Sequence, residues 1–418
     1  SYGQGVATID AVDARAISVE GGQHIRIENL RLRGSGRKHG NTESGLYISS
    51  VTDIEVNAVE IFGFQHSGLY FAGVNKGRFT KIHAYENGFA GISSRGEFSN
   101  DIYVGYCLTE NNPGDPTILD NHSGNGIVLG KVRKGTIEYC ESRYNGWDMP
   151  REGNGPVGIW SYHSDRITIQ HNISNHNRST GIDGGGFDFD GGMTNSALQY
   201  NYSHNNHGSG YLICQYKGAA PFHSNVVRYN ISQDDGLTNH NAGIHIWQGG
   251  EGMESTDVYN NTIYNSKGSG VSFGAAREVT EKTPIGRFFN NIFVTGESQI
   301  SGGAHKGEFK GNLYWAMGDG GFSVDEYASL EEWARATGQE MVGGRLVGIY
   351  ADPLLAKNGT GLITDPRRTL DLTEYLLLDG SPAVESALDL KRLLGLDVGS
   401  RDFFGNTIPQ GPEYDIGA

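Results

Sequence analysis

The chain has little of what usually ties a sequence to a partner. Its 418 residues include three cysteines, which cannot form a disulfide framework. No run of about 18 apolar residues occurs, so the sequence offers no membrane span. Proline is sparse at 11 residues, which argues against a disordered low-complexity chain. Positive charge is also short: 33 Lys and Arg face 48 Asp and Glu, a formal net charge of −15. That balance argues against nucleic acid as partner and, more weakly, against unassisted binding of polyanions. There is no signal peptide and no initiator Met, and the first residues already sit in a running repeat. The chain therefore reads as a mature or excised part of a longer product.

Glycine is abundant instead. Its 63 residues are about twice the usual share, and with many Asn and short apolar runs they point to many short strands joined by tight turns. A repeat is visible by eye. Asn172-Ile-Ser, Asn201-Tyr-Ser and Asn230-Ile-Ser each precede an Asn/His/Asp cluster and then a Gly. Extended both ways, the register runs through Asn29, Asn57, His83, Cys107, Cys140, Asn172, Asn201, Asn230, Asn261, Asn291 and Asn312, with a mean step of about 28 residues. Two or three short strands per repeat with no helix between them predict a solenoid of about 10–11 coils. In it the Asn side chains stack as a hydrogen-bonded ladder. Asn172, Asn201 and Asn230 then serve the ladder rather than glycosylation, and Cys107 and Cys140 are small buried thiols.

Each repeat also carries a Gly-led strand, such as Gly158-Ile-Trp-Ser-Tyr, Gly186-Phe-Asp-Phe-Asp, Gly210-Tyr-Leu-Ile-Cys and Gly243-Ile-His-Ile-Trp. Alternate side chains of a strand face opposite ways. The first and third residues after Gly are mostly apolar and form an inward column, while the second and fourth form an outward one. In four consecutive coils the outward column reads Trp160 and Tyr162, Asp188 and Asp190, Leu212 and Cys214, then His245 and Trp247. Aromatic faces beside carboxylates suit a sugar ring, which needs a platform and acids. Two carboxylates at i and i+2 lie roughly 6.5–7 Å apart, within the range of an inverting acid/base pair. They are expected on the solvent side of the sheet.

After Asn312 the register fades. Ser329-Leu-Glu-Glu332 forms a capping box that starts a helix over Leu330 to Thr337, with Gly338 behind it. Residues 1–322 are read as the β-helix and 323–418 as a C-terminal cap packed on it, containing one short helix. The Gly-led strands, the ladder and the ending Ser381-Pro-Ala, Asp402-Phe-Phe-Gly-Asn and Asp415-Ile-Gly resemble secreted bacterial right-handed parallel β-helix enzymes of the pectate-lyase-like and polygalacturonase-like superfamily. That resemblance implies an all-β fold and an enzyme acting on a poly- or oligosaccharide. It also implies a monomer, secreted or periplasmic, with neither nucleic acid nor membrane as partner.

Three functions fit. The first is a glycoside hydrolase, with Asp188 and Asp190 as acid and base and Asp183 in reserve. Substrate contacts would come from Trp160, Tyr162, His163, His245, Trp247, Lys217, Gln215 and Arg95, and no cofactor would be needed. The second is a calcium-assisted polysaccharide lyase acting by β-elimination, with the aspartates as metal ligands, Lys217, Arg95 or His245 as base, and Asp234 and Asp235 in a run of calcium-loop type. The third is a non-catalytic glycan-binding solenoid. Lyases of the resembled type carry a lysine base where this chain has Asp190. The Gly-His-Gly and Arg-x-Lys motifs of the polygalacturonase type do not occur here. The hydrolase is favoured.

Overall fold

The computed structural model describes residues 5–249, 253–254, 256–275 and 284–418; residues 1–4, where the expected β-helix begins, lie outside these. Eleven strands, from Ile17–Glu20 to Ile300–Ser301, form one parallel sheet in chain order. Every Gly-led segment named above falls in it. Between later members of this sheet the chain makes two further strands, for example Ala197–Gln199 and Tyr202–His204, and in the first two coils one long strand, Gln23–Gly34 or Thr52–Phe62; these stack in the second parallel sheet. The architecture is the expected parallel β-helix.

The pleat explains the register. Ile127, Ile159, Phe187, Tyr211, Ile244 and Val271 pair in sequence across six coils, and all are fully buried. Each such side chain contributes roughly 1.5–3 kcal/mol by leaving water. A one-residue slip would turn this whole column outward, so the apolar column locks the alignment of the outward one.

The corner between the second and third strands carries the ladder. Asn172 Nδ2 donates to Asn201 Oδ1 at 3.0 Å, Asn201 to Asn230 at 3.1 Å, Asn230 to Asn261 at 3.0 Å, and Asn261 to Asn291 and Asn291 to Asn312 each at 2.9 Å. Cys107 and Cys140 continue it as buried free thiols. The expected positions Asn29, Asn57 and His83 do not. There the ladder site holds Leu30, which pairs with Val59, and then Ile82. Asn29 is the residue before the site and adopts φ 56°, as do Ala58, Lys81, Tyr106, Tyr139 and His171 in later coils with φ near 55°. Asn tolerates that left-handed turn better than most residues. At Asn29 the same residue type therefore suits two neighbouring positions and the register slips by one; Asn57 falls two residues before its site and His83 one after.

A second ladder was not anticipated. Asn87, Asn112, Asn145, Asn177 and Asn206 link Nδ2 to Oδ1 at 2.9–3.1 Å, and Asn206 Nδ2 ends the row on Asp235 Oδ1 at 2.8 Å.

The helix Leu330–Thr337 starts at Ser329, which accepts from the Glu332 N–H, and ends at Gly338 with φ 77°. Its Trp333 packs on Phe309, Phe322 and Tyr314 over the last coils. The chain then runs back along the flank of the β-helix. Tyr375 donates to Gln233, the Gly361 carbonyl accepts from Tyr202, and the Leu388 carbonyl accepts from Asn290. A second short helix, Leu390–Leu394, lies in this return, where one helix was expected in the whole segment.

Candidate functional site

The outward columns of strands Val157–Tyr162, Gly185–Phe189, Tyr211–Gln215 and Ala242–Gln248 converge in a pocket of ≈ 630 Å³. Its walls include Trp160, Tyr162, Asp188, Asp190, Leu212, Cys214 and Trp247 from those coils, with Asn121, His122, Asn154, Ile182, Asp183, Tyr216 and His240 from the loops around them. In the register, Trp160 stands beside Asp188, Asp188 beside Leu212, Leu212 beside His245, and Cys214 beside Trp247. Glycine makes room at the edges. A Cβ at Gly130 would lie 2.3 Å from the Tyr162 ring, and one at Gly274 would lie 2.8 Å from the Trp247 ring. Both rings thus lie over the neighbouring coil.

The loops bury what the strand pattern placed in solvent. Asp188 keeps 3% of its surface, and its Oδ1 has no hydrogen-bond partner in the protein. Burial, then the charges of Asp190 and Asp183, push its carboxyl well above the usual carboxylate range. Asp190 is better supported. It accepts from the Gly191 N–H at 2.7 Å and from the Cys214 thiol, which hold it down while burial raises it to about 6. The two carboxylates of one strand face thus differ in their partners, and those of Asp190 favour its ionised form.

Asp183 sits in a loop with φ 62°. Its Oδ2 accepts from the Gly155 N–H at 2.8 Å, its Oδ1 lies 3.4 Å from His240 Nε2, and burial raises it to about 7. His240 stacks on His245 with ring centroids 4.1 Å apart. Burial lowers His240 and His122 to about 4 each, so both are neutral imidazoles at neutral pH. On the far wall, Asn125 Oδ1 accepts from Trp160 Nε1 at 3.1 Å while its Nδ2 meets His122 Nδ1 at 3.0 Å. One amide orients both rings.

Of the residues expected from sequence, Asp183, Asp188, Asp190, Trp160, Tyr162 and Trp247 meet in this pocket. His245 lies beneath His240, its Nδ1 2.7 Å from Ser272 Oγ. His163 stands behind the wall, where its Nε2 meets the Tyr216 hydroxyl at 3.0 Å. Gln215 is buried, accepts from the Gly192 N–H and donates to the Ala220 carbonyl, because its place in the pleat is inward. Lys217 is exposed in the turn beyond the strand and lines no part of the pocket. Arg95 lies three coils away, its guanidinium 2.7 Å from His66 Nε2 and over the Phe89 ring. Asp235 does not fit a calcium loop. Both its oxygens are taken, by Asn206 and by Ser232 at 2.7 Å, and Asp234 Oδ1 accepts from the Ser266 N–H.

Tyr216, His122 and His240 were not foreseen. Leu212 and Cys214 were visible in the outward column, but the other three sit in loops where no periodicity marks them.

The molecule is thus a parallel β-helix with an acid-lined, aromatic-walled pocket on its Gly-led sheet. No family model matches the chain, and no curated protein matches it. Among solved structures, the lacto-N-biosidase of family GH136 from Eubacterium ramulus aligns at 16% identity and TM-score 0.45, over 66% of this chain and 56% of that one. Pectate lyase Pel9A aligns at 13% identity and TM-score 0.43, over 95% of this chain and 86% of that one. XylC in complex with xylose aligns at 11% identity and TM-score 0.44, over 76% of this chain and 56% of that one. The chain spans little more than half the length of the lacto-N-biosidase and of XylC. Among the described residues no helix is long and apolar enough to cross a membrane.

Proposed function

We propose that the protein is a carbohydrate-active enzyme, and specifically a glycoside hydrolase with Asp188 as general acid and Asp190 as general base. The observation that carries this is the unequal environment of two carboxylates on one strand face. Asp188 is buried with an unpartnered oxygen, which favours the protonated form. Asp190 receives an N–H and an S–H, which favour the carboxylate. Asp188 gives its proton to the glycosidic oxygen as the bond breaks. Asp190 takes a proton from the water that attacks the sugar carbon. Trp160, Tyr162, Tyr216 and Trp247 supply faces on which sugar rings stack.

Among the described lining residues there is no Lys or Arg, and both lining imidazoles are neutral. This favours an uncharged sugar over a uronate, whose carboxylate would meet three aspartates and no lining cation. Of the groups the lyase reading would use, Lys217, Arg95, His245, Asp234 and Asp235 lie outside the pocket lining, while Asp188 and Asp190, its metal ligands, lie within it. Turnover of a panel of neutral oligosaccharides, followed by product chromatography, tests the proposal. Asp188→Asn and Asp190→Asn should each lose about 10²–10⁴-fold or more in kcat, the usual contribution of a positioned proton-transfer group. Near wild-type turnover in either variant would refute the assignment, and an unsaturated, ultraviolet-absorbing product would replace the hydrolase with a lyase.

A further inference from the structure

Asp183 and His240 are built as a unit. The loop bearing His240 is tied to the loop bearing Asp183, because Asn239 Nδ2 donates to the carbonyls of Gly181 at 2.8 Å and of Asp183 itself at 3.0 Å. The His240 carbonyl accepts from Ser272 Oγ at 3.1 Å, and its ring lies nearly parallel, at 5°, on His245. Its backbone takes φ 64°, a left-handed conformation uncommon outside Gly and Asn. Backbone, ring plane and loop position are all fixed, and Nε2 lies 3.4 Å from Asp183 Oδ1. The other ring nitrogen is different. Nδ1 is buried, belongs to a pocket-lining residue and has no hydrogen-bond partner in the protein.

A buried polar atom left unpaired costs about 1–3 kcal/mol, and such atoms in a native protein call for an explanation. His245 shows that this fold can satisfy an imidazole at the same corner, since it bonds Ser272 and lines nothing. His240 is the ring of the pair that faces the pocket.

We infer that His240 is a substrate-recognition residue: its Nδ1 hydrogen-bonds a hydroxyl of the sugar bound in the pocket, and Asp183 fixes the ring through Nε2. This deepens the glycoside-hydrolase reading and rests on it. It also gives Asp183 a positioning role instead of a third place in the proton transfers. A neutral imidazole carries one N–H, and the group on Nε2 decides whether Nδ1 donates or accepts. With Asp183 accepting from Nε2–H, Nδ1 is the acceptor for a sugar hydroxyl.

Binding and turnover separate the roles. Tryptophan fluorescence, reporting through Trp160 and Trp247, is titrated with glucose, galactose, xylose, N-acetylglucosamine and lactose. The p-nitrophenyl glycosides of the same sugars give kcat and KM. For the tightest-binding sugar, His240→Ala should weaken Kd about tenfold, the worth of one well-made hydrogen bond, and raise KM by a similar factor while kcat falls less. His240→Asn should recover part of the loss. Asp183→Asn should shift Kd in the same direction, and the double variant should be no worse than the weaker single, as for groups acting as one unit. Circular dichroism confirms that each variant is folded; if His240→Ala is not, His240→Asn and Asp183→Asn carry the test. A Kd within twofold of wild type in all of these would overturn the inference. So would a fall in kcat with Kd and KM unchanged, or no binding of any sugar by the wild type. Failure of the hydrolase reading looks different: Asp188→Asn would keep its turnover while sugar binding still depends on His240.

Discussion

Two sets of buried acids lie in this β-helix, and they answer burial in different ways. At the ends of the two Asn ladders stand Asp235 and Glu340, each raised to about 7 by burial. Asp235 receives the Asn206 N–H and Nδ2 and the Ser232 hydroxyl. Glu340 receives Asn312 Nδ2 and the Tyr314 hydroxyl, both at 2.7 Å, and the Asn312 N–H at 3.3 Å. An amide at the end of a ladder would leave its own NH2 group seeking an acceptor, whereas a carboxylate only accepts. An acid is therefore a sound terminus. In the pocket, Asp188 is as deeply buried and raised in the same direction, yet one of its oxygens has no partner. A raised proton affinity is thus common to the ladder-end acids and the pocket acids here. Asp188 differs from the ladder ends in its unpartnered oxygen, whereas Asp190 and Asp183 accept hydrogen bonds as the ladder ends do.

Exchange at the two sets should break that comparison most sharply through activity. Asp235→Asn and Glu340→Gln preserve the acceptor for the last ladder amide, so turnover should stay within about twofold of wild type. Loss there on the scale expected for Asp188→Asn would mean that the ladder ends serve the chemistry too. Stability should respond the other way round. Asp235→Ala strands the Asn206 amide and should lose about 1–3 kcal/mol in chemical denaturation.

The aromatic walls come next. Trp160→Ala and Trp247→Ala should raise KM about tenfold with a smaller change in kcat, because they remove a stacking face rather than a proton. A kcat effect without a KM effect would contradict that.

A milder effect is expected from pH. Asp183, Asp235 and Glu340 are raised to about 7, so the folded chain holds protons that the unfolded chain releases near pH 4. Their contribution to stability is present in full below about pH 4 and is lost as pH rises toward 7. Thermal midpoints should therefore fall from pH 5 to pH 8, and Asp235→Asn with Glu340→Gln should flatten the slope. An unchanged slope in that double variant would place the pH dependence elsewhere. The smallest expected effect is none at all: EDTA should leave turnover unchanged, and loss restored by Ca²⁺ would favour the lyase.

The strands were legible because period-two alternation is imposed by the pleat, and Phe187 and Phe189 against Asp188 and Asp190 display it within five residues. The ladder was legible from Cys107 to Asn312 because one amide type recurs at one corner. It failed at Asn29 because the neighbouring left-handed corner also accepts Asn. The second ladder, Asn87 to Asp235, was hidden because Asn and Asp are ordinary turn formers in loops. Gln215 was misplaced by one step of the pleat. His240, Tyr216 and the burial of Asp188 depend on how loops fold over the sheet, and loop packing leaves no period to read.

The thermal midpoint of Asp188→Asn at pH 8, measured beside its turnover, tests the central claim most directly. An under-partnered buried carboxyl strains the fold it sits in, because at pH 8 it must carry either an unscreened charge or a proton the unfolded chain has released, and an amide there should relieve that strain. The account predicts a variant that melts higher than wild type and turns over at least about a hundredfold more slowly. A variant that melts lower while keeping its activity would show Asp188 to be a structural acid, like Asp235.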